Sequence, residues 1–312
     1  MTRFVPSRAF PVRTASTAFG AWTVWLLATA AGVSLAAPAT AGIVMRQEVR
    51  GEGDAAKYQN MSMRASIDTG GAKMEILSSG NPMMSEGNYM LVRPDDDALL
   101  LVNPKDKTYA TLDFGAMMGS MSQMMGANGQ NGVSMEVKGD PVVEKLLDED
   151  GGQILGRATR HYRWRTRYTV AMNLPMGMSM EIATDQTQDL WTADIAIDPK
   201  IMHAFENLAG GGAIPEGLRK LVTAAKVTQK GFPLKVVTVT SSKTTSTGSG
   251  PLARMAGGAM ARANDQPHTV TMEVKELSEE KVPNSVFAIP AGYTETELLA
   301  PGMRMPDMNP QH

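Results

Sequence analysis

"RHYRWRTRYTV", residues 160 to 170, decides how this chain is read. In extended backbone, successive side chains point to opposite faces. His161, Arg163, Arg165 and Arg167 then form one row, and Tyr162, Trp164, Thr166, Tyr168 and Val170 form the other. The stretch predicts a half-buried strand. Its basic row is read as a solvated face whose cations discourage edge-to-edge association. Peripheral contact of Arg163, Arg165 and Arg167 with anionic lipid headgroups, or with a protein partner, is the functional alternative.

The same period of two extends through most of the chain. In "MSMRASID", Met61, Met63, Ala65 and Ile67 alternate with Ser62, Arg64, Ser66 and Asp68; in "AKMEILSS", Met74 and Ile76 oppose Lys73 and Glu75. In "LWTADIAID", Trp191, Ala193, Ile195 and Ile197 alternate with Thr192, Asp194 and Asp198. One apolar and one polar face per strand is the mark of an antiparallel sheet covered on one side. Turn signals separate the runs: Asn103-Pro104, Pro94 with Asp95 to Asp97, and Pro175-Met176-Gly177. Across that last turn the parity holds, so Tyr168, Met172 and Leu174 share a side with Met178, Met180 and Ile182.

Helices are the minority. Asp198 is placed to cap one that starts at Pro199, with Ile201, Met202, Phe205 and Leu208 as its stripe and glycines from Gly210 to end it. "IPEGLRKLVTAAKV" carries Leu218, Leu221, Val222 and Ala225 at helical spacing, and "DPVVEKLLDED" is a weaker third candidate from Asp140. Segments 115–132 and 247–267, rich in Gly, Met, Ala and Ser, are expected as mobile loops, and 301–312 as a disordered tail.

The N-terminus has the order of a secretory signal. Arg3, Arg8 and Arg13 precede an apolar run that closes on Ala39-Thr40-Ala41, which predicts cleavage after Ala41 and a periplasmic protein. The expectation is a single β domain over 42–300. The chain holds no cysteine, so neither a lipid-bearing cysteine nor a disulfide enters the reading. Lys and Arg number 30 against 32 Asp and Glu, a net charge of −2, which with export argues against nucleic acid as partner.

Three stretches resemble a known group. "NYMLVRPDDDALLLVNPKDKTYATLD" is similar to its display hairpin, "ILGRATRHYRWR" to its Gly-x-x-Thr-x-x-Tyr strand entry (Gly156, Thr159, Tyr162), and "VPNSVFAIPAGYTE" to its closing signature (Pro283, Phe287, Pro290, Gly292, Tyr293). Together they resemble an exported bacterial domain of unknown function in the superfamily of the periplasmic lipoprotein carrier LolA and the receptor LolB. The resemblance implies a mainly β (α+β) fold, a curved antiparallel half-barrel sheet with a few covering helices, between which members of the superfamily receive acyl chains. On residue chemistry alone, Phe287 and Ile289 share a strand face, Pro290 ends the strand, Gly292 permits a turn and Tyr293 tucks back.

His161, His203, His268 and His312 lie in no nucleophile-elbow or metalloprotease pattern, and no glycine loop opens a helix after a strand. A non-enzyme without cofactor is expected. Methionine stands out, at 25 residues. Thioethers either line irregular apolar sites or, as at Met117, Met118, Met121, Met124 and Met125, bind Cu(I). The expected function is a binding protein for lipid or another amphipathic ligand, lined by Met61, Met63, Ile67, Tyr162, Trp164, Tyr168, Met172, Met178, Met180 and Trp191. A copper-handling protein and an envelope interaction module without ligand are the alternatives.

Overall fold

The computed structural model describes residues 42–52, 59–81, 84–94, 99–112, 134–174, 178–201, 204, 220–221, 224, 231–247 and 267–296. The expected signal segment, residues 115–132 with their methionines, nearly all of 247–267, residues 175–177 and residues 301–312 lie outside the described residues.

The strands are β1 (Ile43–Glu52), β2 (Met61–Asp68), β3 (Gly71–Ser79), β4 (Tyr89–Val92), β5 (Leu99–Asn103), β6 (Thr108–Leu112), β7 (Ser134–Ile154), β8 (Arg157–Leu174), β9 (Met178–Ala193), β10 (Phe232–Thr247), β11 (His268–Glu279) and β12 (Thr294–Glu295). They form one open, curved 12-stranded sheet in the order β12-β6-β5-β4-β3-β2-β1-β11-β10-β9-β8-β7. The fold is mainly β, as the alternation predicts. Every pairing is antiparallel except that of β12 with β6. Two meanders, β1–β6 and β7–β11, therefore meet at a β1–β11 seam, where Arg46 Nε donates to Glu276 Oε1 at 2.8 Å.

Period two becomes burial directly. On β2, Met61, Met63, Ala65 and Ile67 are all buried and the residues between them are not. Such side chains, from Ile43 and Ile67 across to Leu190, Val236 and Met272, build the main core on one face, here called the inner face. Ile195, Ile197, Ile201 and Ala204, from the segment after β9, pack against that core. Asp198 caps the helix starting at Pro199, its Oδ1 accepting from the Lys200 N–H at 2.8 Å, as the sequence indicates. Lys220, in the second helical segment, pairs with Asp140 at 2.7 Å and donates to the Gly139 carbonyl.

The outer face has its own smaller core at one end of the sheet, where Tyr89, Leu91, Leu100 and Val102 are covered by Ile289 and Tyr293. The C-terminal segment reaches there in steps. Asp68 Oδ2 accepts from the Val282 N–H at 2.8 Å, Phe287 seats on Gly70 and Gly71, the chain turns at Gly292 (φ +82°), and β12 pairs with β6. Phe287 and Ile289 do not share a strand face, correcting the expectation: Asn284–Phe287 is a 3₁₀ turn, which sends the two side chains to different packing sites.

"DPVVEKLLDED" is not a helix either. It lies within β7, because pairing with β8 along nearly its whole length outweighs a local helical pattern. Pro141 is tolerated because β7 is an edge strand and the ladder shifts register between Lys138 and Val142, beside Gly139 at φ +71°.

Candidate functional site

The two faces of "RHYRWRTRYTV" are set by its neighbours. Opposite it on β9 stand Trp191 (facing His161), Asp189 (facing Arg163) and Asp185 (facing Arg167), all on the outer side. The basic row is thus paired rather than simply solvated. Arg163 Nε donates to Asp189 Oδ1 at 2.7 Å, Arg165 grips Asp185 through Nε and Nη2 at 2.9 and 2.5 Å, and Arg167 Nη2 donates to Glu144 Oε1 at 2.6 Å. The Arg165 guanidinium, through its hydrogen bond first, holds the Asp185 carboxyl below its ordinary range.

His161, expected on a wet face, is only 8% exposed. Its ring stacks on Trp191, with centroids 4.1 Å apart and planes 6° from parallel, and its Nε2 lies 2.7 Å from Asp189 Oδ1. Lys235 Nζ sits 5.0 Å from the Trp191 ring centroid on the same side. This corrects the placement of Trp191 among the lining residues: it belongs to the outer face. The alternation in "LWTADIAID" runs past the end of β9 at Ala193, so Ile195 and Ile197 enter the core without sharing a strand face with Trp191.

Most of the other candidates fall on the inner face, but in different surroundings. Met61 and Tyr162 lie in one cross-sheet row with Val49, Met272, Val236 and Leu190 between them. Met61 and Met63 pack with Ile76, while Ile67 and Trp164 belong to the main core and Tyr162 packs against it. These five are core residues. The parity of the β8–β9 hairpin holds as expected: Tyr168 stands opposite Thr184, Val170 opposite Ile182, Met172 opposite Met180 and Leu174 opposite Met178.

Among the described residues, this second group lies where β7 to β10 run past the pairing of β10 with β11. β10 pairs with β9 as far as Thr247, but meets β11 only from Lys235 to Thr240. Beyond that limit β7 to β10 continue as a four-stranded extension. On its inner face Val137, Met180, Thr184 and Thr244 are buried, while Tyr168, Val170, Met172 and Ile182 are half-buried and, among the described residues, belong to none of the buried apolar clusters. Burial pushes the Tyr168 hydroxyl above its ordinary pKa, partly offset by a hydrogen bond with Thr184, whose own hydroxyl lies 3.2 Å from that of Ser242.

Between core and extension runs a polar band that sequence reasoning missed. One row holds Trp164, Gln188 and Thr238 side by side on β8, β9 and β10; the next holds Thr166, Gln186, Thr240 and, on β11, His268. Burial holds the His268 imidazole below its ordinary pKa. Trp164 Nε1 and Thr238 Oγ1 are buried without a hydrogen-bond partner among the described residues. Period two in "TDQTQDL" was the available signal, but only register shows that these residues meet Trp164.

Among the described residues, no group of three His, Asp or Glu side chains is placed to hold a metal. No family model and no curated protein matches the sequence. Among solved structures, the crystal structure of the LolA superfamily protein NE2245 from Nitrosomonas europaea overlaps 86% of this chain and 96% of its own, at 8% sequence identity and a TM-score of 0.25, an overlap too loose to carry any argument about this chain.

Proposed function

We propose that the protein is a non-catalytic periplasmic binding protein that holds a lipid or other amphipathic ligand against the inner face of its sheet. One observation carries the reading: the apolar row of β8 and β9 continues past the packed core as Tyr168, Val170, Met172 and Ile182, half-buried and, among the described residues, outside every buried cluster. Transfer of an acyl chain from water gains about 0.8 kcal/mol per buried methylene, so eight methylenes supply roughly 6 kcal/mol against the cost of association. That magnitude suits reversible holding. The part of the inner face carrying Ile67 and Leu190 is filled by Ile195, Ile197, Ile201 and Ala204, which confines the ligand to the extension. The leader ending at Ala41 supports the compartment.

Native mass spectrometry of the protein purified from its own cells tests the reading. The expected result is a co-purified lipid mass that is lost when Val170 and Ile182 are both changed to Gln. A bound copper ion or a protein partner in place of lipid, with no affinity for an added acyl probe, refutes it.

A further inference from the structure

The polar band lies where the filled core ends and the apolar extension begins, and two of its side chains are left without partners. Trp164 is 7% exposed and Thr238 9% exposed, yet the indole N–H and the threonine hydroxyl bond to nothing among the described residues. An unmet donor in such a place carries its full desolvation penalty. The two belong to one row, separated by Gln188, so they are about 9.6 Å apart at backbone level, two strand spacings. Indole donates only, whereas the hydroxyl and amide both donate and accept. The complement of this set is a group rich in acceptors.

That group carries no charge. Neither polar row holds an acidic, lysine or arginine residue on β8 to β11, and Arg163, Arg165 and Arg167 face the other side. On β7, Lys145 stands opposite Trp164, but its ammonium is half exposed and already 2.8 Å from Asp148 Oδ2. Glu144 and Lys138, farther along β7, are paired to Arg167 and Glu181. A carboxylate or phosphate buried here would lack a counter-ion, at a cost no neutral hydrogen bond offsets.

Resting on the binding reading above, we propose that the Trp164–Gln188–Thr238 row is a subsite for the uncharged ester or amide linkage of an acylated ligand, its carbonyl oxygen accepting from Trp164 Nε1–H at one end of the row and its ester oxygen or amide nitrogen meeting the Thr238 hydroxyl at the other. The acyl chain then runs along β8 over Tyr168 and Val170 toward Met172, about 27 Å from Trp164 at ~3.4 Å per residue. The row thereby fixes which end of the ligand lies against the core, and it discriminates between linkages rather than between chains.

The test compares probes of one chain length on delipidated protein that lacks residues 1–41 and carries Trp191→Phe, so that Trp164 is the remaining tryptophan and its signal reports the inner face: methyl decanoate, decanoate at pH 8, and decane. Methyl decanoate is expected to bind at least tenfold more tightly than either of the others and to shift the Trp164 emission. The near-isosteric Thr238→Val is expected to cut that advantage at least fivefold while leaving decane affinity unchanged. Equal affinity for ester and alkane, tightest binding of decanoate, or an advantage that survives both Thr238→Val and Trp164→Phe overturns the subsite while the apolar binding strip stands. Failure of all three probes to bind overturns both.

Discussion

Replacing Phe287 by Ala should unfasten the C-terminal segment from the sheet, and the loss follows from what the ring touches. Phe287 is 2% exposed. A Cβ added at Gly71 would lie 3.2 Å from the Phe287 side chain, and one at Gly70 3.1 Å from it, so the ring rests directly on glycine backbone at the β2–β3 turn. Removing a buried phenyl ring costs about 3–5 kcal/mol, and more when the surroundings cannot collapse into the space. Gly70 and Gly71 have no side chains to move, and Gly71 is further held by the Val92 carbonyl, 2.7 Å from where its Cβ would be. The expected loss is therefore about 4 kcal/mol. With a urea slope near 3 kcal/mol/M for a chain of this size, the unfolding midpoint falls by about 1.3 M. Equilibrium urea unfolding followed by fluorescence of Trp164 and Trp191 reads this. Phe287→Leu, which keeps most of the volume, should cost no more than about 1.5 kcal/mol. A loss below about 1 kcal/mol for Phe287→Ala would mean that the segment is not part of the cooperative unit, and the account of how the sheet is closed at this end would be wrong.

The β7–β8 turn offers a gain. Leu155 and Gly156 have φ of +51° and +75°, as a two-residue type I′ turn requires, and Leu155→Asn should raise stability by about 0.5–1 kcal/mol in the same urea assay. At Gly151 a Cβ would lie 2.6 Å from Thr159 Oγ1 and 3.0 Å from Trp191 Cδ1; Gly151→Ala is expected to cost about 1–3 kcal/mol, part of it recovered by adding Thr159→Ala. His268 has a pH signature. Because burial lowers its pKa in the folded state below the ordinary 6.5, the unfolded chain binds the extra proton first, so stability falls as pH drops from 6.5 to the folded value and then levels off. Thermal melts between pH 8 and 5 should show that step, and His268→Gln should remove it. The carboxylates of Asp148 and Asp185, held low by Lys145 and Arg160 and by Arg165, add their loss only below pH 3.8.

How far the fold was legible depended on whether one strand sufficed to read it. Met61 to Ile67, Met74 with Ile76, and Tyr162 to Val170 announce their faces by alternation alone, and the β8–β9 hairpin keeps the parity expected across Pro175–Gly177. β7 misleads because Asp140-Pro141 imitates a helix start and Val142, Val143, Leu146 and Leu147 fall at helical spacing. Its strand character comes from pairing with β8 across the Leu155-Gly156 turn, which propensity within the segment does not see. Trp191 was misplaced for a related reason: alternation from Trp191 to Ile197 looks continuous, although β9 stops at Ala193. The candidate site was legible as a stripe on β8 and illegible as a site. Gln186 and Gln188 on one strand and Thr238 and Thr240 on another become a band only through the β8–β9–β10 register.

The seam between β1 and β11 bears on how the molecule comes into being. Arg46 and Glu276 are 230 positions apart, and closing so long a loop costs roughly 5 kcal/mol of chain entropy. During synthesis the first six strands zip into a half-sheet whose β1 margin stays raw until almost the last long strand has emerged. Joining the halves is then expected to be the slow step of maturation.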